Sequence, residues 1–489
     1  MSVAWQKDGY EAVIGLEIHV QLNTHSKMFC SCPNRFGDDP NTNVCMVCLA
    51  HPGAMPVANA EAVRQSARVG LALGCRIPPY SEFSRKQYFY PDSPKAYQIS
   101  QYDQPLCAEG LFRVPGSDGF EVRLTRAHLE EDAAKMIHEG GEGGRISGSA
   151  GSIVDFNRVG TPLLEIVTEP DIRSPEDARR LLTLLRATVV AIGASDCDME
   201  KGSLRADANV SIRPIGATEY GTKTELKNMN SFRFLERGIE AELERQLEIV
   251  RGGGMVEQET LHFDPASGSL SSLRSKEQAH DYRYFPEPDL LPVQQDEVVL
   301  AELRATLPEL PVARYERLVA AGLPDATALA LAVDSELAAY LDALATHLND
   351  LKIAANWTMG EFSAHLNSSG LSAAASPVTP ARLGALVALV MAGTINQTAA
   401  KEVFAVLVDD PAATADGIVG ERNLATVGGD DELGAIIDAV LAAHPDEVEA
   451  FRGGREQVIG FLVGQCMKQS GGRADAKALQ SLLRARLAS

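Results

Sequence analysis

Two distant stretches of the chain carry the same pattern, and that pattern limits what the chain can fold into. From Val13 to Leu22, the apolar residues Ile14, Leu16, Ile18, Val20 and Leu22 alternate with Gly15, Glu17, His19 and Gln21. From Leu204 to Pro214, Leu204, Ala206, Ala208, Val210 and Ile212 alternate with Arg205, Asp207, Asn209, Ser211 and Arg213. Period-two alternation of this kind reads as a half-buried strand, apolar on one face and polar on the other. On such a strand Glu17 and His19 share a face, about 7 Å apart. That spacing suits two ligands of one metal or phosphate site, and it equally suits a solvated sheet face.

Further acids stand in similar settings. Glu165 is embedded among Leu163, Leu164, Ile166 and Val167, where an unpaired carboxylate is costly. The predicted strand Thr222–Leu226 carries Lys223 and Glu225, with Lys227 just beyond it. After a strand beginning at Glu121, the acids Glu130, Glu131 and Asp132 crowd together, so they are either solvated or held by a cation. Hard oxygen ligands joined by one imidazole suit Mg²⁺, which is held by a few carboxylates plus substrate phosphates. With Lys86, Arg205 and Lys223 in the same motifs, the pattern points to phosphoryl transfer, where catalysis is positioning and charge neutralisation. The sequence shows no G-x-S-x-G and no Cys-His nucleophile motif, and the Gly-rich and Ser-rich stretch Gly140–Ser152 lacks the Walker pattern and reads as a flexible loop.

Cys30, Cys32, Cys45 and Cys48 form a C-x-C, twelve-residue, C-x-x-C arrangement. Two close pairs of thiolates suit tetrahedral structural Zn²⁺; a redox pair and plain buried thiols are the alternatives. The polar loop Pro33–Val44 between the pairs has little core of its own, so a metal would tie it down. The run Phe83–Pro105 concentrates Tyr88, Tyr90, Tyr97 and Tyr102 beside Arg85, Lys86 and Lys95. Such a run can stack a base and clamp phosphates, or can be a loop packed by its own aromatics.

Helices are expected over Asn59–Cys75, from the cap Ser174 to about Ile192, and from the cap Ser231 to Gly252. After the prolines ending at Pro292 the composition turns Ala-rich and Leu-rich, which marks a domain border. The net charge of −21 argues against non-specific coating of nucleic acid. The end of the chain is locally basic, however, with Arg452, Arg455, Lys468, Arg473, Lys477, Arg484 and Arg486, which is either an RNA contact or a solvated helical face. No apolar run reaches the ~18 residues of a membrane span, and the first residues lack a signal peptide's apolar segment, so a cytoplasmic chain with no membrane partner is expected.

The segments Val13–Leu22, Phe83–Pro105, His128–Asp132, Asp155–Pro170, Lys201–Pro214, Gly221–Phe232, Asp281–Asp289 and Gly460–Lys468 together resemble the B-subunit family of the aspartyl/glutamyl-tRNA(Asn/Gln) amidotransferases, in order and over nearly the whole chain. The resemblance implies an α+β fold. A glutamine synthetase/guanido kinase-like cradle with an antiparallel sheet would cover 1–293, an all-helical domain 294–408, and a small helical YqeY-like tail touching tRNA 409–489. It implies a heterotrimer in which the partners are an amidase and a third, small chain. The member of that heterotrimer resembled here would bind misacylated Glu-tRNA(Gln) or Asp-tRNA(Asn), phosphorylate the side-chain carboxylate with ATP and Mg²⁺, and admit ammonia that the amidase releases from glutamine. By motif, the resemblance assigns a stable Mg²⁺ to His19, Glu131 and Glu165. It assigns an ATP-dependent second metal to Glu17, Asp207 and Glu225, with Lys86 and Arg205 near phosphates. Strict alternation from Val122 puts Glu130, not Glu131, with Arg126 and His128, so the assignment of Glu131 requires a bulge or turn. The zinc cysteines occur in only some members of the family, and all four are present here. Two other readings remain: a zinc-bearing tRNA-binding scaffold without catalysis, and a free-standing small-molecule ligase.

Overall fold

The computed structural model describes residues 4–116, 118–139, 150–227, 229–275, 282–426, 430–474 and 476–488. Most of the stretch Gly140–Ser152, and Asp281 at the head of its motif, lie outside the described residues. The chain divides into two units, Met1–Ala320 with Ala328–Val333 and Ala321–Thr327 with Asp334–Ser489.

The first unit begins with β1 (Gln6–Lys7), β2 (Tyr10–Gln21) and α1 (Ala60–Ala72). The short strands β3 (Tyr80–Ser81), β4 (Ser84–Gln87) and β5 (Tyr97–Ser100) follow, then β6 (Cys107–Val114), β7 (Phe120–Glu131) and the mutually paired β8 (Lys135–Glu139) and β9 (Gly151–Asp155). Next come β10 (Pro162–Thr168), α2 (Pro175–Ala191), β11 (Leu204–Pro214), β12 (Thr224–Lys227), α3 (Phe232–Arg251), β13 (Glu259–Phe263) and β14 (Leu270–Ser275). The unit closes with β15 (Phe285–Pro286), β16 (Val293–Gln294), α4 (Glu297–Ala305) and α5 (Pro311–Ala320). The main sheet runs β14-β13-β12-β11-β2-β10-β7-β6, with β1 against β2.

The two alternating stretches lie side by side. β11 pairs with β2 antiparallel from Leu204↔Val20 to Pro214↔Tyr10, which aligns Asp207 with Glu17 and Arg205 with His19. Ile14, Leu16, Ile18, Val20, Ala206, Ala208 and Val210 are buried in one core with Leu181 and Leu185 of α2 and Leu235, Ile239 and Leu243 of α3. Each large side chain of this set contributes about 1.5–3 kcal/mol on burial, so the register that keeps this face apolar is held firmly. The predicted helix starts are real caps: Asn59, Ser174 and Ser231 each accept from backbone N–H groups of the following turn.

The expected antiparallel sheet is in fact mixed. β12 and β13 are parallel, with Glu225 opposite Thr260, and α3 supplies the crossover that parallel neighbours need. The expected border at 293/294 also falls inside the first unit. Leu300 and Leu303 on α4 are 2% and 4% exposed and belong to the same core as the sheet, which holds α4 to it.

In the second unit the helices are α6 (Asp325–Val333, shared with the first), α7 (Ser335–Leu348), α8 (Leu351–Trp357), α9 (Ser363–Ser369), α10 (Pro380–Met391), α11 (Gln397–Asp409), α12 (Ala415–Glu421), α13 (Asp430–Ala443), α14 (Pro445–Arg452), α15 (Val458–Gln469) and α16 (Ala476–Ala488). The expected border at 408/409 lies inside the second unit. The Arg382 guanidinium donates to the carbonyls of Leu407, Asp410 and Ala413, tying together the chain on both sides of that point. A separate small core of Leu433, Ile437, Leu462, Leu479 and Leu483 starts only at α13. Among the described residues no helix is long and apolar enough to cross a membrane.

Candidate functional site

The polar face of the sheet carries the site because every second residue of β2, β10, β11 and β7 must leave the core. Glu165 on β10 sits opposite His19 on one side and His128 on the other. Its Oε2 lies 3.5 Å from His19 Nε2 and 3.4 Å from His128 Nε2. Arg126 Nε donates to His128 Nδ1 at 3.3 Å, which leaves Nε2 to carry the hydrogen of the neutral ring toward Glu165. Burial alone would push the Glu165 carboxyl up, but the two imidazoles beside it outweigh that and hold it well below the usual range. Burial would likewise lower His19, and the Glu165 carboxylate more than offsets it, leaving His19 raised.

His19, Glu130 and Glu165 each offer a ligand atom, and these atoms all lie within 4.8 Å of one another. Two carboxylates and one imidazole, both acids buried, are a hard donor set that fits Mg²⁺ with positions left for water or phosphate. Glu131 lies outside this group. β7 pairs with β10 without a shift from Glu131↔Pro162 to Val167↔Arg126, so the alternation runs unbroken and Glu130 shares the face of His128. Glu131 accepts instead from Lys95 Nζ at 2.6 Å and from the Ile99 N–H at 3.0 Å, and lines a second cavity of about 210 Å³ with Lys95 and Tyr97.

The cavity at this site, about 310 Å³, is lined by Glu17, His19, Lys86, Glu165, Glu225 and Tyr284 among others. Lys86 Nζ lies 4.9 Å from the centre of the Tyr282 ring. Burial pulls its ammonium down, but the negative charges of Glu130 and Glu165 outweigh this and raise it. The roof is the segment 282–289: Tyr284 stacks on Tyr102 at 4.4 Å, and Arg85 clamps Glu287 with two 2.8 Å hydrogen bonds. Of the aromatic run, Phe83 is buried while Phe89 is 67% exposed, so part of it is core and part is free surface.

The second group of acids is arranged differently from the expectation. Asp207 and Glu225 both pair with Lys227 Nζ, at 3.3 and 2.8 Å, and Glu17 accepts from Asn209 at 2.9 Å. Among the described residues these three carboxylates do not gather as a metal-ligand group, because an ammonium stands between two of them. Arg205 reaches Asp132 at 2.8 Å through its NH2, and its buried Nε has no hydrogen-bond partner among the described residues. Asp132 also accepts from Gln21 at 2.7 Å. Lys227 and the roof tyrosines take a role only in the folded chain; Lys227 has a signal in the sequence, since it continues the period-two row of Lys223 and Glu225.

Away from this cavity, the ligand atoms of Cys30, Cys32, Cys45 and Cys48 also lie within 4.8 Å of one another, and no disulfide joins them. Four such thiols suit structural Zn²⁺. A hydrogen bond from Cys30 leads the causes that hold Cys48 down to about 5, with the Lys27 charge adding to it.

The sequence matches the family described as the GatB/GatE catalytic domain over residues 12–301, and the family described as the GatB domain over residues 339–487. It is similar to the Moorella thermoacetica protein named as the B subunit of aspartyl/glutamyl-tRNA(Asn/Gln) amidotransferase, with 49% identity over 484 residues, 98% of this chain and 100% of that protein. Proteins of the same name from Chlorobaculum tepidum and Carboxydothermus hydrogenoformans are each 47% identical, over 480 and 485 residues, covering 98% of this chain and 99% of each relative.

Proposed function

The chain belongs to the B-subunit family of the aspartyl/glutamyl-tRNA(Asn/Gln) amidotransferases, and from that premise we propose how its cavity does the work. It is a component of a tRNA-dependent amidotransferase, an enzyme of the ligase class. Its substrate is the side-chain carboxylate of Glu-tRNA(Gln) or Asp-tRNA(Asn). That carboxylate does not accept ammonia directly, because its oxygen is a poor leaving group. Transfer of the γ-phosphoryl group of ATP to the carboxylate oxygen gives an acyl phosphate and ADP. Ammonia then forms the C–N bond, inorganic phosphate departs with the C–O bond, and a proton lost from nitrogen completes the amide.

His19, Glu130 and Glu165 would hold Mg²⁺, which supplies charge neutralisation for the phosphates. Lys86 adds a cation at the same cavity. Arg205, held by Asp132, presents an unpartnered N–H donor suited to a phosphate oxygen. Glu17, Asp207 and Glu225 would receive the metal that arrives with ATP once the Lys227 ammonium leaves its place between Asp207 and Glu225. The first unit is read as a glutamine synthetase/guanido kinase-like cradle, and the basic end as a tRNA contact. The assembly is read as a cytoplasmic heterotrimer completed by an amidase, the source of ammonia, and a third, small chain.

The observation that carries this reading is that His19 of β2, Glu130 of β7 and Glu165 of β10 bring ligand atoms within 4.8 Å of one another, with His19 and Glu165 lining a cavity that also holds Lys86. The test is phosphate release by the assembled enzyme on misacylated tRNA. Glu165→Ala and Asp207→Ala should each abolish release while tRNA binding persists. No ATP turnover by the unaltered enzyme would refute the reading in favour of a scaffold, and turnover without tRNA would refute it in favour of a small-molecule ligase.

A further inference from the structure

Behind the four thiols lies a lysine with no carboxylate partner among the described residues. Lys27 is 0% exposed and is among the largest fully enclosed side chains of the described residues. Its stem packs on Gly160, where a Cβ would come within 3.5 Å of Lys27 Cδ. Its Nζ donates to the Asn43 carbonyl at 2.7 Å and to the Phe156 carbonyl at 3.4 Å, and lies 3.9 Å from Cys48 Sγ. Its backbone N–H donates to the Cys32 carbonyl at 3.0 Å. One residue thus grips the first cysteine pair by its main chain and reaches the second by its side chain.

Carbonyl dipoles carry no net charge, and enclosing an ammonium without a counter-charge is unfavourable. Four thiolates around Zn²⁺ sum to −2 and supply the missing anion. We propose that Lys27 is the counter-charge of the tetrathiolate centre and sets its hold on zinc. The proposal rests on reading the four cysteines as a zinc site. It also explains why a long basic side chain occupies a place that Leu or Met would fill without electrostatic penalty. The zinc-loaded centre and the ammonium stabilise each other, whereas without metal the ammonium faces at most the single charge of the Cys48 thiolate, so its contribution shrinks.

The test is zinc competition with a chromophoric chelator on the full chain, together with thermal unfolding of loaded and stripped protein. Lys27→Met should weaken zinc binding roughly 10- to 100-fold, the range measured when groups supporting metal ligands are removed, while Lys27→Arg should stay within a few-fold. Lys27→Met should lower the unfolding midpoint of the loaded protein by more than that of the stripped protein. Unchanged zinc affinity, or the same loss of midpoint with and without metal, would overturn the proposal and leave Lys27 as packing. An unaltered chain purified without zinc would overturn the zinc reading itself. Where Lys27→Met yields no folded protein, Lys27→Gln carries the same loaded-against-stripped comparison, with the same results supporting or overturning the proposal.

Discussion

Adjacent acids on one strand give the sharpest test of the site, because Glu130 and Glu131 face opposite ways and should fail in different manners. Glu130→Gln removes one of two charged ligands from the group formed with His19 and Glu165. We predict that the Mg²⁺ concentration for half-maximal tRNA-dependent ATP turnover rises at least about 100-fold, or ~2.8 kcal/mol of binding, with little change in unfolding midpoint. Glu131→Gln leaves that group intact but strands Lys95, whose side chain is only 12% exposed against 5% for Glu131. Removing one member of a buried pair costs about 3–5 kcal/mol. The amide still accepts from the Ile99 N–H, so the lower end, about 3 kcal/mol, is expected in urea unfolding, with an unaltered Mg²⁺ requirement. The assay is a Mg²⁺ titration of ATP turnover beside a denaturant melt for each variant. If Glu131→Gln raises the Mg²⁺ requirement and Glu130→Gln does not, the unbroken alternation of β7 is wrong and the reasoning falls with it.

Cys45→Ser should lower zinc content and stability more than it alters turnover, and full zinc stoichiometry in that variant would contradict the tetrathiolate assignment. The Arg123 guanidinium, bonded to Asp171 at 2.6 and 2.9 Å, outweighs the effect of burial and holds the Asp171 carboxyl below its ordinary 3.8. The stabilisation is therefore complete above the unfolded value and is lost as pH falls through the lower folded one. Asp171→Asn should be less stable than the unaltered chain at pH 7, and the gap should narrow as pH falls below the unfolded value; a constant gap across that range in acid unfolding would refute the linkage.

The strands that build the site were legible because one face of each must be apolar, so Glu17, His19, Asp207 and Arg205 announce themselves by period alone. The caps Asn59, Ser174 and Ser231 were legible for the same local reason: their side chains satisfy N–H groups within a few residues. Which way Glu130 and Glu131 face was also legible, because the unbroken alternation of β7 sets Glu130 on the side of His128 and turns Glu131 away. What could not be read depends on partners distant in the chain. Lys227 comes between Asp207 and Glu225 only through the pairing of β11 with β12. The parallel β12 and β13 follow from where α3 delivers the chain, and the Pro-rich border near Pro292 failed because composition does not say that Leu300 and Leu303 pack back onto the sheet. Lys27 reads in sequence as an ordinary surface residue.

The clamp between Arg85 and Glu287 joins positions about 200 residues apart, and Tyr282 and Tyr284 ride on it. During synthesis the floor of the chamber can therefore form long before its lid has left the ribosome. A nascent chain halted before the lid would present its row of acids to bulk water. Enclosure of the cavity requires residues 282–289 to return over strands laid down near the start of the chain.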